Sequence, residues 1–373
     1  MDFFLIYLPA FLVLLTVLVF VHELGHYWVA RRCGVRVEVF SIGFGPEIFG
    51  WTDRANTRWK FSAIPLGGYV KMYGEGEFSG GGAGETPLSP EDRAVSFPHK
   101  TLGQRAAIVA AGPAANYLFA IVVLAALFMT LGQSSTPAKV TEVLEGSAAE
   151  AAGLRQGDLF LQVNGSDIER FRDVQRIVML RPGQPLDIVV LRDGEEVALV
   201  ATPEAKEAED ISGNKSVIGQ LGVRGGVVER TQLGPFGAVA AAAQETVDIT
   251  WTTIVAVGQF IAGDRDIREL GGPVRIGQMS GDTAQIGLVP FISFMALLSI
   301  NLGLINLFPI PMLDGGHLLY YGIEALRGKP LGERAQEIGF RIGLVLVLSL
   351  MLFVTINDLV NLPLLEFVKN LMT

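Results

Sequence analysis

Two histidines and a glutamate with H-E-x-x-H spacing stand inside a long hydrophobic run near the start of the chain. The run from Phe3 to Val21 holds no charge, and His22-Glu23-Leu24-Gly25-His26 follows it directly. Residues i and i+4 share one face of a helix, so two such imidazoles can bind one Zn²⁺, with the glutamate beside the metal as general base. Ionisable groups at membrane depth are costly and indicate function. The motif therefore predicts a zinc hydrolase with its site in the bilayer.

A third protein ligand is required, because two histidines leave a tetrahedral zinc one ligand short when the last position is kept for water. The chain has four histidines, and His99 stands in a polar loop where surface exposure is expected. Asp314 is the stronger candidate, since it follows the third hydrophobic segment and a buried carboxylate needs a cationic partner. For His317 the sequence leaves two roles open, a hydrogen bond to a ligand or packing in a turn.

The composition indicates a membrane protein. Hydrophobic residues make up 50% of the 373 residues, and the one cysteine, Cys33, excludes an intramolecular disulfide. The net charge is −9 and no basic patch carries interleaved aromatic residues, so nucleic acid is not an expected partner. Each of four segments approaches or exceeds the ~20 residues that cross a bilayer. They are Phe3 to Ala30, Ala106 to Gly132, Ile286 to Leu313 and Ile342 to Leu362.

Basic residues predict the orientation of these segments. Ten of them lie between Arg31 and Arg105, and four more, from Arg327 to Arg341, follow the third segment. Under the positive-inside rule both connections are cytoplasmic, which places both termini and the region 134–285 on the other side. The start lacks the basic n-region of a signal peptide, so we expect the first segment to be retained.

A small extracytoplasmic domain is predicted between the second and third spans. Leu159 to Val163 reads as a strand that runs into the turn Asn164-Gly165, and Arg192-Asp193-Gly194 indicates a hairpin. The run resembles a bacterial PDZ domain in its Gly146-Ser-Ala-Ala, Ala152-Gly-Leu, Gly157-Asp and Val163-Asn-Gly motifs. PDZ domains bind extended peptides at a sheet edge. The resemblance predicts a groove, in permuted order, at Gly219, Leu221, Gly222 and Val223.

The predicted fold is a polytopic α-helical membrane protein with four transmembrane helices, a β-hairpin and an inserted extracytoplasmic PDZ (α+β) domain. The helix from Leu233 to Gly263 is expected either on the membrane surface or packed against the spans. The segments are 1–33 with the first span and H-E-x-x-H; 34–104 with the hairpin and a cytoplasmic loop; 105–133 with the second span; 134–228 with the PDZ domain; 229–285 with an amphipathic helical linker; 286–321 with the third span and Leu-Asp-Gly-Gly; and 322–373 with a cytoplasmic connection, the fourth span and a C-terminal tail.

The chain resembles the site-2 proteases, which are intramembrane zinc metalloproteases, and is most similar to the regulator-of-sigma-E protease type. His22-Glu23-Leu24-Gly25-His26 and Leu313-Asp314-Gly315-Gly316 fit the two signature motifs of that family, and Gly112-Pro113-Ala114-Ala115-Asn116 fits a third. The resemblance covers the whole chain. Better-known members of this type carry two PDZ domains, whereas this chain has one, as shorter members do.

The resemblance implies the roles of individual residues. His22, His26 and Asp314 would bind one Zn²⁺ per chain, and Glu23 would be the catalytic base. The hairpin from Trp59 to Tyr73 would be re-entrant in the membrane and would pair with substrate, unless it is an ordinary cytoplasmic hairpin. The substrate-holding residues would be Asn306, Pro309, Pro311, Gly67 and Gly68.

The resemblance also implies a biological setting. The protein would lie in the bacterial inner membrane as a multi-pass protein, with its active site toward the cytoplasm and the PDZ domain in the periplasm. It would cleave the transmembrane segment of a single-span protein, such as an anti-sigma factor or remnant signal peptide. An upstream site-1-type protease would make the first cut. A non-catalytic, membrane-anchored PDZ binding module with a structural metal is the alternative, and a metal transporter is a third reading that would need more than one polar cluster.

Overall fold

The computed structural model describes residues 3–74, 89–135, 137–168, 170–209, 215–225, 229–262 and 271–361, so the predicted tail beyond residue 361 lies outside the described part. After a π-helical turn, Phe3–Tyr7, the helices are α1 Leu8–Arg32, α2 Pro90–Val95, α3 Leu102–Leu131, α4 Ala148–Ala151, α5 Phe171–Met179, α6 Pro235–Ala262, α7 Pro273–Ile286, α8 Leu288–Leu307, α9 Asp314–Arg327 and α10 Glu333–Asn361. The strands are β1 Val37–Thr52, β2 Arg58–Met72, β3 Gln133–Ser135, β4 Val140–Val143, β5 Leu159–Val163, β6 Ser166–Asp167, β7 Leu186–Arg192, β8 Glu195–Ala201, β9 Glu204–Glu209, β10 Lys215–Gln220, β11 Val223–Gly225 and β12 Glu229–Thr231.

Four helices in the described residues are long and apolar enough to cross a membrane. They are Leu5–Arg32, Leu102–Leu131, Leu288–Leu307 and Arg334–Leu359. The third is shorter than the sequence predicts, because α8 ends at Leu307 rather than at Leu313. Pro309 and Pro311 follow, and proline cannot donate the backbone hydrogen bond that would extend the helix. Asp314 is therefore not at the end of the span but at the start of a new helix, α9.

The segment that the sequence treats as one amphipathic linker contains two helices, α6 and α7. One face of α6 is buried: the Thr250 hydroxyl lies 3.4 Å from the Tyr117 hydroxyl of α3, and the Thr253 hydroxyl donates to Asn301 of α8. Helix α7 is capped from α10, because the buried Asp358 accepts hydrogen bonds from two backbone N–H groups at the start of α7. These contacts attach α6 to α3 and α8, and α7 to α10.

Strands β1 and β2 form a sheet of four strand segments rather than a simple hairpin, and each segment is called a row. Both strands bend, so the row 37–42 pairs with 68–72 on one side and with 58–61 on the other. The row 58–62 pairs in turn with 47–52. Gly43, Gly45 and Gly67 have φ angles of +88°, +88° and +99° at the bends, where a side chain would be strained. Within the described strands, the row 68–72 pairs with the row 37–42 alone and is therefore an edge of the sheet.

Residues Leu127–Pro235 form a second compact unit, which is rich in strands. Its largest sheet has the order β6-β5-β7-β8, and β4 pairs with β11. The predicted turns are present: Asn164 and Gly165 have φ angles of +49° and +72°, and Asp193 and Gly194 have +51° and +90°. Fully buried side chains fill the centre, among them Phe160, Val163, Val174, Leu186, Ile188 and Val190.

The second unit contains a buried ion pair between Asp158 and Arg192. The Asp158 side chain is fully buried, and Arg192 donates to both of its oxygens at 2.8 and 2.7 Å. Burial alone would raise the pKa of Asp158. The hydrogen bonds from Arg192 and from the backbone N–H of Arg155 outweigh it, and the pKa lies below its usual range.

We expect Asp158→Asn to destabilise the second unit by about 3 kcal/mol, because it leaves the Arg192 charge without its partner. Hydrogen exchange of β7 and β8 in the full chain measures the loss. Since the folded pKa is depressed, the contribution is complete above the unfolded value of about 4 and is lost as pH falls through the folded value. Glu142→Gln, which removes an exposed pair with Arg224, is the control and should change exchange little. Equal exchange in both variants would contradict the prediction.

Candidate metal centre

Two distant parts of the chain bring three potential metal ligands together. Helix α1 presents His22 and His26 one turn apart, and the first residue of α9 is Asp314. The two Nε2 atoms are 3.2 Å apart, and they lie 3.1 and 3.6 Å from Oδ2 of Asp314. All three ligand atoms fall within 4.8 Å of one another. The spacing predicted the His pair, and the fold supplies the carboxylate.

The cluster fits a tetrahedral metal ion. Ligands about 2.05 Å from a zinc ion stand roughly 3.4 Å apart at tetrahedral angles, which is close to the three observed separations. Oδ2 of Asp314 is buried and has no hydrogen-bond donor, a costly state for a carboxylate oxygen unless a cation approaches it. Two imidazoles and one carboxylate are a donor set typical of catalytic zinc sites.

Two glycines, one on α1 and one on α3, let the two helices meet at the cluster. A methyl group on Gly112 would overlap Nε2 of His26 and lie 2.9 Å from the His22 ring. A methyl group on Gly25, inside the H-E-x-x-H motif, would overlap the backbone carbonyl of Ala111. The two helices therefore meet backbone to backbone. The glycine of each motif is a packing requirement that the sequence analysis did not interpret.

The other ring nitrogens of the two histidines also face α3. Nδ1 of His26 lies 2.9 Å from the backbone carbonyl of Ile108. Nδ1 of His22 lies 3.1 Å from the side-chain amide of Asn116, which is fully buried. The sequence contained a signal for Asn116, the Gly-Pro-Ala-Ala-Asn motif. It contained none for Ile108, because any residue can supply a backbone carbonyl.

A cavity of about 280 Å³ adjoins the cluster. Glu23 lines it beside the ligands, and a backbone hydrogen bond from Val70, in the edge row of the sheet, reaches its carboxylate. Met312 also lines it, with a φ angle of +94° that side chains rarely adopt. The remaining lining residues are Tyr69, Val70, Met72, Phe97, Val109, Asn306, Leu313, His317 and Tyr321, together with the three ligands.

The other predicted substrate residues lie around this cavity rather than on its wall. Gly68 packs against α1, where an added methyl would be 3.3 Å from Cγ of Glu23, and Gly67 packs against the Phe44 ring. Pro311 contacts α10, because a methyl on Gly343 would overlap its carbonyl. Pro309 lies in the turn between α8 and α9.

Other predicted residues lie elsewhere in the fold. His99 is exposed and contacts Ser96. In the second unit, Leu221 is buried in the core and Val223 pairs with Val143. Gly219 contacts the backbone of α5 at Val178, and Gly222 contacts Ser147.

Comparisons with known proteins also indicate a metalloprotease. A model of peptidase family M50 matches residues 10–350. The chain is 44% identical over 362 residues to the putative zinc metalloprotease Atu1380 of Agrobacterium fabrum, covering 95% of this chain and 96% of that protein. It is 38% identical to the metalloprotease MmpA of Caulobacter vibrioides, with 99% of both covered. Identity to the regulator of sigma-E protease RseP of Salmonella typhimurium is 34%, with 94% and 98% covered.

One solved structure is a PDZ domain of an SdrC-like protein from Listeria monocytogenes. It is 16% identical with a TM-score of 0.19, and the match covers 23% of this chain and 84% of that one.

The helical frame, the His-His-Asp cluster and the glutamate beside it define a metalloprotease carried by apolar helices. The family model matches most of the chain, and the similarity to the relatives also covers most of it, so the comparisons identify the family. The chain belongs to peptidase family M50, the site-2 proteases.

We expect Gly112→Ala to weaken zinc binding by more than about tenfold, because the new methyl group would displace the His26 ring from the cluster. Zinc affinity of the purified chain, measured by competition with a chelator, tests this. Gly103→Ala lies in the same helix with nothing within 4 Å of the added carbon, and it should bind zinc like wild type. Wild-type zinc affinity in Gly112→Ala would show that the close approach of α3 does not determine the position of the His26 ring.

Proposed function

We propose that the chain is an intramembrane zinc metalloprotease that cleaves the transmembrane segment of single-span proteins. The observation that carries the proposal is the His22–His26–Asp314 cluster, which brings the apolar helix α1 and the first residue of α9 together beside the cavity that Glu23 lines. The alternative, a PDZ binding module with a structural metal, has no need of a glutamate or an open cavity at the metal.

The proposed roles follow from the geometry. His22, His26 and Asp314 hold one zinc ion per chain. Bound there, zinc supplies a Lewis acid that polarises the scissile carbonyl and makes water more acidic. Glu23 takes a proton from the attacking water and passes it to the leaving amine.

Substrate must arrive as an extended strand, since a helix keeps its peptide groups in its own hydrogen bonds. Unwound backbone inside a bilayer needs new partners. The sheet row 68–72 is an edge, and Tyr69, Val70 and Met72 from it line the cavity. We propose that substrate pairs with this edge in a re-entrant position, while Asn306 holds the chain near the metal. Gly67, Gly68, Pro309 and Pro311 shape the surroundings.

The wider setting is also a proposal. One relative is named a regulator of sigma-E protease, which supports a role in regulated proteolysis. We propose that an upstream site-1-type protease makes the first cut in the same substrate. Anti-sigma factors and remnant signal peptides are the proposed substrates. Four apolar helices support an inner-membrane location, and the basic loops support an active site toward the cytoplasm with the PDZ domain in the periplasm. The PDZ domain, with a groove at Gly219, Leu221, Gly222 and Val223, would admit trimmed substrates.

We expect Glu23→Gln to bind zinc normally but to lose cleavage by at least about 10²-fold, because the amide cannot accept the proton. The assay is cleavage of a single-span substrate truncated on its extracytoplasmic side, with a chelator-treated sample beside it. Glu337→Gln, which changes an exposed glutamate paired with Arg341 on α10, is the control and should retain activity. Normal cleavage by Glu23→Gln would refute the proposed mechanism.

We expect Asn306→Ala to lower cleavage of the same substrate about tenfold with zinc content unchanged, since the residue lines the cavity without joining the cluster. Asn301→Ala is the matched control on the same helix, where the amide accepts a hydrogen bond from Thr253 of α6. A loss of zinc in Asn306→Ala, or equal loss of activity in both variants, would contradict a role in holding substrate.

A further inference from the structure

The side chain of Asn116 is a fully buried amide on α3 that touches His22 on the side away from the ligand cluster. Its Nδ2 atom lies 3.1 Å from Nδ1 of His22, and its Oδ1 atom is buried without a hydrogen-bond partner. Its backbone carbonyl accepts a hydrogen bond of 2.9 Å from the hydroxyl of Ser299 on α8. Asn116 thus connects α1, α3 and α8 at the level of the metal ligands.

Hydrogen-bond accounting constrains both histidines. Nδ1 of His26 faces the carbonyl of Ile108, which can only accept, so the ring proton is on Nδ1 and the lone pair is on Nε2. His22 needs the same tautomer if its Nε2 binds the metal. With Nδ2 of Asn116 against it, the N–H of His22 would then face a second donor.

A half-turn of the carboxamide of Asn116 resolves this conflict. The oxygen and nitrogen of an amide have nearly the same shape, and their assignment rests on the hydrogen bonds they make. The half-turn moves the unpartnered oxygen from a place without a donor to the N–H of His22.

We infer that Asn116 accepts a hydrogen bond from Nδ1–H of His22 and so holds this ring in the tautomer whose Nε2 is free to bind the metal. Asn116 is a positioning residue, because it acts through His22 and does not touch substrate. The inference rests on the metal site of the proposed function. It gives each histidine an acceptor on α3, a backbone carbonyl for one and a side-chain amide for the other.

The chemical nature of the acceptor suits its location. An amide oxygen accepts the hydrogen bond without adding a further charge to the buried cluster. A carboxylate in the same place would be paired through the His22 ring with the bound Zn²⁺, so it could accept the same hydrogen bond. Acceptors that orient metal-binding histidines typically contribute 10- to 100-fold in metal affinity. Removal of the acceptor should therefore be visible in binding, independently of proteolysis.

The test compares Asn116→Leu, which keeps the shape but has no acceptor, with Asn116→Asp, which keeps an acceptor but has no N–H. Zn²⁺ affinity of the full chain in detergent is measured by chelator competition, and the visible spectrum of bound Co²⁺ reports the coordination. We expect Asn116→Leu to bind zinc about 10- to 100-fold more weakly, with a changed Co²⁺ spectrum. We expect Asn116→Asp to stay within about threefold of wild type. Asn301→Leu, the same substitution on α8, should bind like wild type.

The outcomes separate this inference from the proposed function. Wild-type affinity in Asn116→Leu, with zinc bound normally by wild type, would overturn the inference alone. Weak binding by Asn116→Asp would overturn it as well, because a donor role would then be indicated, and this result remains informative if the leucine variant fails to fold. Failure of wild type to bind zinc would overturn the metal site and the inference together.

Discussion

Two imidazoles and a carboxylate are held within a few ångströms of one another where apolar helices meet, and most of the architecture can be understood from that constraint. A buried carboxylate oxygen without a donor is unfavourable by several kcal/mol, and neutral imidazoles offer lone pairs rather than a compensating charge. A cation satisfies all three groups at once. The fold must therefore hold His22, His26 and Asp314 together while leaving room for an ion and for substrate.

Close approach of α1 and α3 is the first means to that end. Gly25 and Gly112 remove the side chains that would separate the two backbones, so α3 passes directly behind the histidine rings. Small residues serve the same purpose wherever membrane helices pack closely, because lipid provides little hydrophobic force between helices. The contact also brings the Ile108 carbonyl to His26 and the Asn116 amide to His22. One crossing point thereby positions both rings.

The interruption between α8 and α9 is the second means. Proline-rich chain ends α8 before the carboxylate, and the new helix begins with Asp314 itself. A continuous helix would fix the direction of Asp314 by its period alone, whereas a turn can aim it at α1. The same turn leaves Met312, with its positive φ angle, at the wall of the cavity that the edge row of the sheet also lines. Irregular backbone at membrane depth is tolerated where it is buried or lines a cavity.

The sequence alone determined the features whose cause is local. The i, i+4 spacing predicted the histidine pair, long apolar runs predicted the four long apolar helices, and Asn-Gly and Asp-Gly predicted turns that are present. Motif resemblance pointed to Asp314 but not to its distance from the histidines. Tertiary structure decided the contacts between residues far apart in sequence: Ile108 with His26, Ser299 with Asn116, and the second pairing of each bent strand. Spacing within one element follows from its helical or strand period. The meeting of two elements depends on packing over the whole fold, which no local pattern records.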